Sequence, residues 1–127
     1  MPKLAEFPTT LELSEAALQQ RIVRHYRNTY CLKHHNPRCL LFSVPNESNV
    51  AKAMKLIQTG LYPGAADLVI CHRRDHLSIQ WLFVEVKTPN GVQSVKQRLF
   101  QNHCNQCGIR YEIVRSLEDF KRVVENL

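Results

Sequence analysis

The segment from Trp81 to Thr88, WLFVEVKT, constrains the fold of this chain more than any other. In an extended strand, successive side chains point to opposite faces. One face would carry Leu82, Val84 and Val86, and the other Trp81, Phe83, Glu85 and Lys87. Both faces are largely apolar, which is typical of a strand covered on both sides. The acid and the lysine interrupt one face at the strand's end, where buried charges are costly unless they pair or bind a metal ion. A buried Glu85–Lys87 ion pair and an edge strand with its charges in water remain open alternatives.

A second acid, Asp67, makes a site more plausible than an ion pair. It lies in Gly64-Ala-Ala-Asp67-Leu-Val-Ile70, at a strand predicted for residues 66–71, and a turn at 72–76 leads to the strand at 78–88. Strands joined by so short a loop are antiparallel neighbours, so Asp67 and Glu85 are expected to converge. Carboxylate oxygens suit Mg²⁺ or Mn²⁺, which neutralise a phosphate and activate water. We therefore predict that Asp67, Glu85 and the backbone carbonyl of Val86 hold a metal ion. Lys87 would orient the water or hold the scissile phosphate of a phosphodiester.

The remaining periodicities predict a single α/β domain over residues 1–127, after a loose arm at 1–10. Its class is a mixed central β-sheet flanked by helices, in the order α-β-α-β-β-α-β-α. The other predicted elements are a four-turn helix after Ser14, a strand at 39–44, a helix from Val50 to Gly60, a helix at 95–107, a strand at 110–114 and a helix capped by Ser116.

The chain carries a formal charge of +6, which favours polyanionic partners but is weak evidence by itself. Arg21, Arg24 and Arg27 recur at three-residue steps along the first helix, and Lys52 and Lys55 do the same on the second. Arg73 and Arg74 fall in a predicted turn. Each cluster is either a binding face or an ordinary solvated surface.

Five cysteines, an odd number without a recognisable leader, predict reduced thiols in an intracellular, cytoplasmic protein. No run of residues is long and apolar enough to predict a membrane span. Cys104 and Cys107 have zinc-ligand spacing, but filling the side and end of a helix is the better interpretation. The six histidines show no ligand spacing, and we expect them at the surface or against phosphates.

These motifs resemble the PD-(D/E)XK nuclease signature, and their flanks resemble the VRR-NUC (virus-type replication-repair nuclease) family. The flanks are Phe42-Ser-Val-Pro45-Asn46, Gly60 before Gly64, Ser94-Val-Lys-Gln97, and Gly108 before Tyr111-Glu-Ile-Val-Arg-Ser116. The similarity extends from Glu15 onward and implies a PD-(D/E)XK restriction-endonuclease-like core. One departure is Ala66, where the superfamily pattern has proline.

The resemblance also implies roles for residues that are ambiguous by themselves. Glu15 matches an early helical glutamate and would assist at the metal, although an acid also stabilises the first turn of a helix. Gln97 would act near the active site, or else form a capping box with Ser94. Asn46 and Glu47 would border the DNA cleft, or simply form a turn. The predicted DNA-binding set is Asn46, Lys52, Lys55, Arg73, Arg74 and Lys96.

The resemblance implies a metal-dependent endodeoxyribonuclease of the stand-alone phage or bacterial type. A chain of one domain would need a second copy to make a second cut, so the expected enzyme is a homodimer that resolves Holliday (four-way) junctions during DNA repair. Alternatives are a flap or single-strand nuclease and a catalytically silent nucleic-acid-binding module. The junction preference is an analogy, since no motif for reading branches is present.

Overall fold

A computed structural model describes residues 13–45 and 50–127. Its helices and strands follow the predicted order, and the α/β class is confirmed. The bounds are α1 Glu15–Tyr26, continued by a π-helical turn Arg27–Cys31, β1 Leu40–Ser43, α2 Val50–Gln58, β2 Leu68–Arg73, β3 Ile79–Val86, α3 Val95–Cys107, β4 Arg110–Val114 and α4 Leu117–Glu125. The predicted arm at residues 1–10, Asn46 and Glu47 lie outside the described residues.

The four strands form one mixed sheet in the order β1-β2-β3-β4. The β1–β2 and β2–β3 pairs are antiparallel, whereas β3 and β4 are parallel and are connected through α3. Helices α1 and α4 cover one face, where Ile22, Tyr26 and Phe120 pack on Leu82 and Val84. Helix α3 covers part of the other face through a smaller cluster of Ala66, Phe100, Cys104 and Tyr111. The result is a three-layer arrangement whose sheet is buried most deeply along β3.

The turn between β2 and β3 lies two residues later than predicted. Strand β2 continues through His72 to Arg73 instead of stopping at residue 71. The turn is fixed by Asp75, whose Oδ1 accepts hydrogen bonds from the backbone N–H groups of Leu77 and Ser78, each at 2.7 Å. An aspartate that accepts hydrogen bonds from the backbone two and three residues ahead strongly favours a turn. Asp75 therefore sets the position of the turn, rather than the polar residues His72 and Arg73 that precede it.

Contrary to the prediction, His72 is buried rather than on the surface. Its Nδ1 lies 3.0 Å from the Tyr26 hydroxyl and 3.7 Å from the Cys39 sulfur. Burial, with a smaller contribution from Arg74, lowers the pKa of His72, so the neutral imidazole is favoured in the fold. The Tyr26–His72–Cys39 group lies towards the Arg73 end of β2, away from Asp67.

The expectation of a sheet covered on both sides holds only for the second half of β3. Trp81 is 53% exposed and Ile79 49%, because α3 does not extend over them. On the edge strand β1, Leu40 and Phe42 are also exposed. The pairs Leu40–Cys71 and Cys71–Trp81 are directly opposite in the sheet, so these side chains share one open apolar face. Met54, on the apolar side of α2, is 62% exposed as well.

Candidate active site

Asp67 and Glu85 face each other across two neighbouring strands. Leu68 pairs with Val84, and one more step in the antiparallel register brings Asp67 opposite Glu85. Residues in this relation have Cβ atoms about 5 Å apart. Asp67 is held on both sides, since its Oδ2 accepts a 2.7 Å hydrogen bond from the Val86 N–H and its backbone carbonyl accepts one from the Val44 N–H at 2.9 Å. The predicted convergence of the two strand ends is therefore present in the fold.

Glu85 is a buried acid whose carboxylate lacks hydrogen-bond donors. Its relative exposure is 1%, and both carboxylate oxygens are buried without a hydrogen-bond partner. Burial, followed by the charge of the neighbouring Asp67 carboxylate, raises the pKa of Glu85 to about 8, while the Lys87 ammonium opposes the shift. An ionised Glu85 beside Asp67 is unfavourable unless a cation joins them.

Lys87 lies just beyond the end of β3 and is also buried, with 7% of its surface exposed. Its Nζ is 3.8 Å from Oε1 of Glu15, at the start of α1. The backbone N–H of Lys87 donates to the Val114 carbonyl at 3.0 Å, which continues the β3–β4 ladder past the strand end. Glu15 is half-exposed, and its contact with Lys87 links the first helix to the end of β3 that carries Glu85.

The donor set fits a hard divalent cation. No group of three or more His, Cys, Asp or Glu side chains able to hold a metal ion occurs among residues 13–45 and 50–127. A cation here would therefore take the two carboxylates of Asp67 and Glu85, with backbone carbonyl, water or phosphate oxygens completing its coordination. The two unpartnered oxygens of Glu85 are what such an ion would satisfy.

The N-terminus of α3 lies against the loop that carries Asp67. A Cβ atom added at Gly64 would meet backbone atoms of Lys96 and Gln97 at 2.4–2.7 Å, so only glycine permits this approach. The capping box of Ser94 and Gln97 is formed: the Gln97 Oε1 accepts from the Ser94 N–H at 2.8 Å. The cap therefore uses the oxygen of Gln97 and not its amide N–H groups. The capping role of Gln97 is therefore compatible with an active-site role, which would use the amide N–H groups.

A hydrogen-bonded group around Gln93 and a single arginine, Arg115, lie near the site and were not predicted. Gln93 Nε2 lies 3.2 Å from the Tyr111 hydroxyl and 3.0 Å from Oε1 of Gln101. Burial, and then the charge of Glu85, raises the pKa of Tyr111, which keeps its hydroxyl protonated. No local sequence signal identifies this group, because its members come from a loop, α3 and β4.

The second unpredicted residue is Arg115, which fixes the loop that follows Lys87. Its Nη1 donates to the carbonyls of Thr88 and Gly91, each at 2.7 Å, and to that of Pro89 at 3.3 Å. An arginine after β4 is a weak sequence signal, although this one lies within the segment that resembles VRR-NUC.

The predicted DNA-binding residues do not all lie near the acids. Lys96 is exposed in the first turn of α3, close to the Asp67 loop. Arg73, in contrast, is six residues further along β2 than Asp67, a separation of about 20 Å along an extended strand. Arg74 follows it into the turn, and Lys52 and Lys55 are exposed on α2.

The cysteines form no disulfide, since all five are free thiols. Cys104 is buried in the cluster beneath α3 and Cys107 is exposed at the end of that helix. Within the described ranges, no helix has both the length and the apolar character needed to cross a bilayer.

The chain is similar to known VRR-NUC domains in sequence pattern and in fold. The model of the VRR-NUC domain family matches residues 13–118. A solved structure titled "VRR_NUC domain protein" superposes with a TM-score of 0.69 at 16% identity, covering 92% of this chain and 89% of its own. A second, titled "VRR_NUC domain", gives a TM-score of 0.58 at 19% identity, covering 87% and 94%. No curated protein sequence matches significantly.

Proposed function

This chain belongs to the VRR-NUC family of PD-(D/E)XK-type nuclease domains, and we propose that it is a metal-dependent DNA endonuclease. Its active-site acids would be Asp67 and Glu85. The observation that carries the proposal is the Glu85 carboxylate, buried opposite Asp67 with both oxygens unpartnered. A buried carboxylate pair lowers the stability of the fold, and binding of a cation between the two carboxylates would offset that cost.

Each residue has a role that follows from its contacts. Asp67, fixed by the Val86 N–H, and Glu85 would hold Mg²⁺ or Mn²⁺ together with the Val86 carbonyl. When bound, such an ion supplies charge neutralisation at the phosphate and lowers the pKa of a water molecule. Lys87 presents a buried ammonium beside this pair, where it orients the attacking water or holds the scissile phosphate. Glu15 positions Lys87 through the 3.8 Å contact.

Gln97 takes a supporting role in the proposal. Its side-chain oxygen fixes the start of α3, which leaves the amide N–H groups to contact a phosphate or a water molecule. The start of α3 also presents free backbone N–H groups and the positive end of the helix dipole towards an anionic substrate.

The catalytic proposal is tested with Asp67→Asn and Glu85→Gln in a cleavage assay titrated with Mg²⁺ and Mn²⁺. Each should lower the cleavage rate at least 100-fold, and calorimetry with Mn²⁺ should show weakened binding. The control is Glu112→Gln, an acid on the neighbouring strand β4 that pairs with Val84, so its side chain points to the face of the sheet opposite to Glu85. Its surface contact with Arg110 at 3.0 Å is worth little. Full metal-dependent cleavage by either acid variant would disprove the assignment.

For the substrate, we propose a four-way DNA junction cut by a homodimer. Two symmetric cuts in one junction need two active sites, and a second copy of the chain supplies the second. The open apolar face with Leu40, Phe42 and Trp81 supports a self-association surface, because contiguous exposed patches of large side chains mark interfaces.

Light scattering should give twice the mass of the chain, and Trp81→Ser should shift the protein towards monomer. Leu99→Ser is the matched control, since Leu99 is 58% exposed but lies on α3. Cleavage of junction, flap, duplex and single-stranded DNA should favour paired symmetric cuts in the junction. A monomer that still makes paired cuts contradicts the dimer model, and a preference for flaps or single strands identifies the alternative nuclease.

A further inference from the structure

A groove runs between α1 and the edge strand β1 and is separate from the acidic pair. Its cavity measures about 680 Å³. Val23 and Leu41 contribute apolar surface, and the polar lining includes Gln19, Arg24, Arg27 and Ser43. We call it the α1–β1 groove. None of its described lining residues is aromatic.

One end of the α1–β1 groove lies at the end of the sheet that carries Asp67, on the face opposite to the Asp67 side chain. Ser43, the last residue of β1, pairs with Leu68, the neighbour of Asp67. On the helix side, the lining begins at Ala16, next to Glu15, and extends to Asn28. Twelve residues of helix at 1.5 Å each make the groove about 18 Å long. It therefore leads from the sheet end that carries the two acids, beside Glu15, to the basic end of α1.

The basic end carries the guanidinium groups of Arg24 and Arg27, which form no ion pair with any acid in the described part of the chain. The ion pairs found within residues 13–45 and 50–127 involve Lys87, Arg110 and Arg122, and neither Arg24 nor Arg27. A neighbouring cavity of about 420 Å³ shares Arg24 and adds Arg21. Positive charge thus continues around the helix from the groove.

We propose that the α1–β1 groove holds the sugar–phosphate backbone of one DNA strand of the duplex arm that leaves the active site. This rests on the proposed nuclease function and extends it to the path of the substrate. Guanidinium, amide and hydroxyl groups are the usual phosphate contacts, and they carry no sequence information.

The lining also distinguishes a duplex arm from a single strand. Sites for single-stranded DNA stack bases on aromatic side chains, and this groove offers none among its described residues. A duplex keeps its bases stacked on each other and presents only its backbone, which suits a groove with hydrogen-bond donors and an apolar floor.

The test is equilibrium binding of a fluorescent duplex in EDTA, where cleavage does not occur, across a range of salt concentrations. Arg24→Gln/Arg27→Gln should reduce the slope of log K against log salt by about 1.8, since each phosphate contact contributes about 0.9. The same slope makes the expected loss of affinity about 60-fold at 0.1 M salt. The control, Arg110→Gln/Arg122→Gln, removes the charges of two exposed side chains elsewhere and should lose less than about threefold.

Equal slopes of log K against log salt for the two double variants would disprove the proposal that the α1–β1 groove binds DNA. If the glutamine variant does not fold, Arg24→Ala and Arg27→Ala are measured singly, with about eightfold weaker binding expected for each. Footprinting of the phosphates supplies a second readout: the variant should lose protection of a run of consecutive phosphates on one strand. If DNA binding depends on the groove but the wild-type chain does not cleave DNA, only the nuclease proposal is disproved. If the wild-type chain cleaves DNA but Arg24→Gln/Arg27→Gln leaves binding unchanged, only the groove proposal is disproved.

Discussion

The substitution Glu85→Gln should stabilise the metal-free protein at neutral and alkaline pH while it abolishes cleavage. The wild-type carboxyl has a pKa of about 8 in the fold, raised by burial and by Asp67, against an ordinary value of 4.5. The folded state therefore binds a proton more tightly than the unfolded state does. This contribution to stability is fully present below pH 4.5 and is lost as the pH rises towards and beyond 8. Glutamine is neutral throughout, and its amide can donate to Asp67.

The size of the effect follows from the same two values. At 1.36 kcal/mol for each pH unit between the ordinary and folded pKa, the wild-type protein should lose about 3 kcal/mol by pH 7 and up to about 5 kcal/mol above pH 8. For a domain of this length, 3 kcal/mol corresponds to a difference of roughly 10 °C in Tm. A saturating divalent ion at 100 times its Kd should return about 2.7 kcal/mol to the wild type and none to the variant.

The assay is thermal or urea unfolding of both proteins in EDTA from pH 5 to 8.5, repeated with Mg²⁺. His72 has a lowered pKa, so its stabilising contribution is lost as the pH falls below its ordinary value. Both proteins share that effect, and it cancels in their difference. A difference that stays flat with pH, or a variant less stable than the wild type at pH 8, would show that Glu85 carries no unfavourable buried charge.

Three further substitutions separate the parts of the fold. Gly64→Ala should lower the free energy of unfolding by several kcal/mol and reduce cleavage, because its Cβ would overlap the start of α3. The control is Gly60→Ala, where the space is open and φ is +114°, and it should cost about 1 kcal/mol in urea unfolding. Tyr26→Phe should cost about 1 kcal/mol through its lost bond to His72, with the cleavage rate unchanged, and a tenfold slower rate would contradict the separation of the two ends of β2. Arg115→Lys cannot reproduce three carbonyl contacts, so kcat should fall about tenfold while Tm drops only a few degrees; an unchanged kcat would argue against a positioning role.

Local signals allowed the sequence to predict the helices and strands well. Helix α3 begins and ends where its capping box and Gly108 indicate, since both features act within a few residues. The second strand was placed two residues early because Asp75, rather than the first polar residues, forms the turn. The sequence likewise predicts ordinary helix for the π-helical turn Arg27–Cys31, since the apolar period continues through it.

The parts of the site that were missed depend on contacts between distant segments. The pairing of Asp67 with Glu85 could be expected from two strands and a short loop. The carbonyl contacts of Arg115 and the Gln93–Tyr111 bond could not, because they join residues 18 to 27 positions apart with no periodic pattern. Exposure of Trp81 was also unexpected, since only the length and position of α3 decide how much of the sheet it covers.

The Asp75 turn controls more than the hairpin it closes. Side chains of a strand alternate with period two, so sliding β2 against β3 by a single residue would turn Asp67 to the α1 side of the sheet and leave Glu85 facing a leucine or an alanine. The alignment of Asp67 with Glu85 consequently depends on a turn at the far end of the hairpin. Relatives with longer hairpin loops should keep their acids opposed only where the change in length leaves the parity of the strand pairing intact.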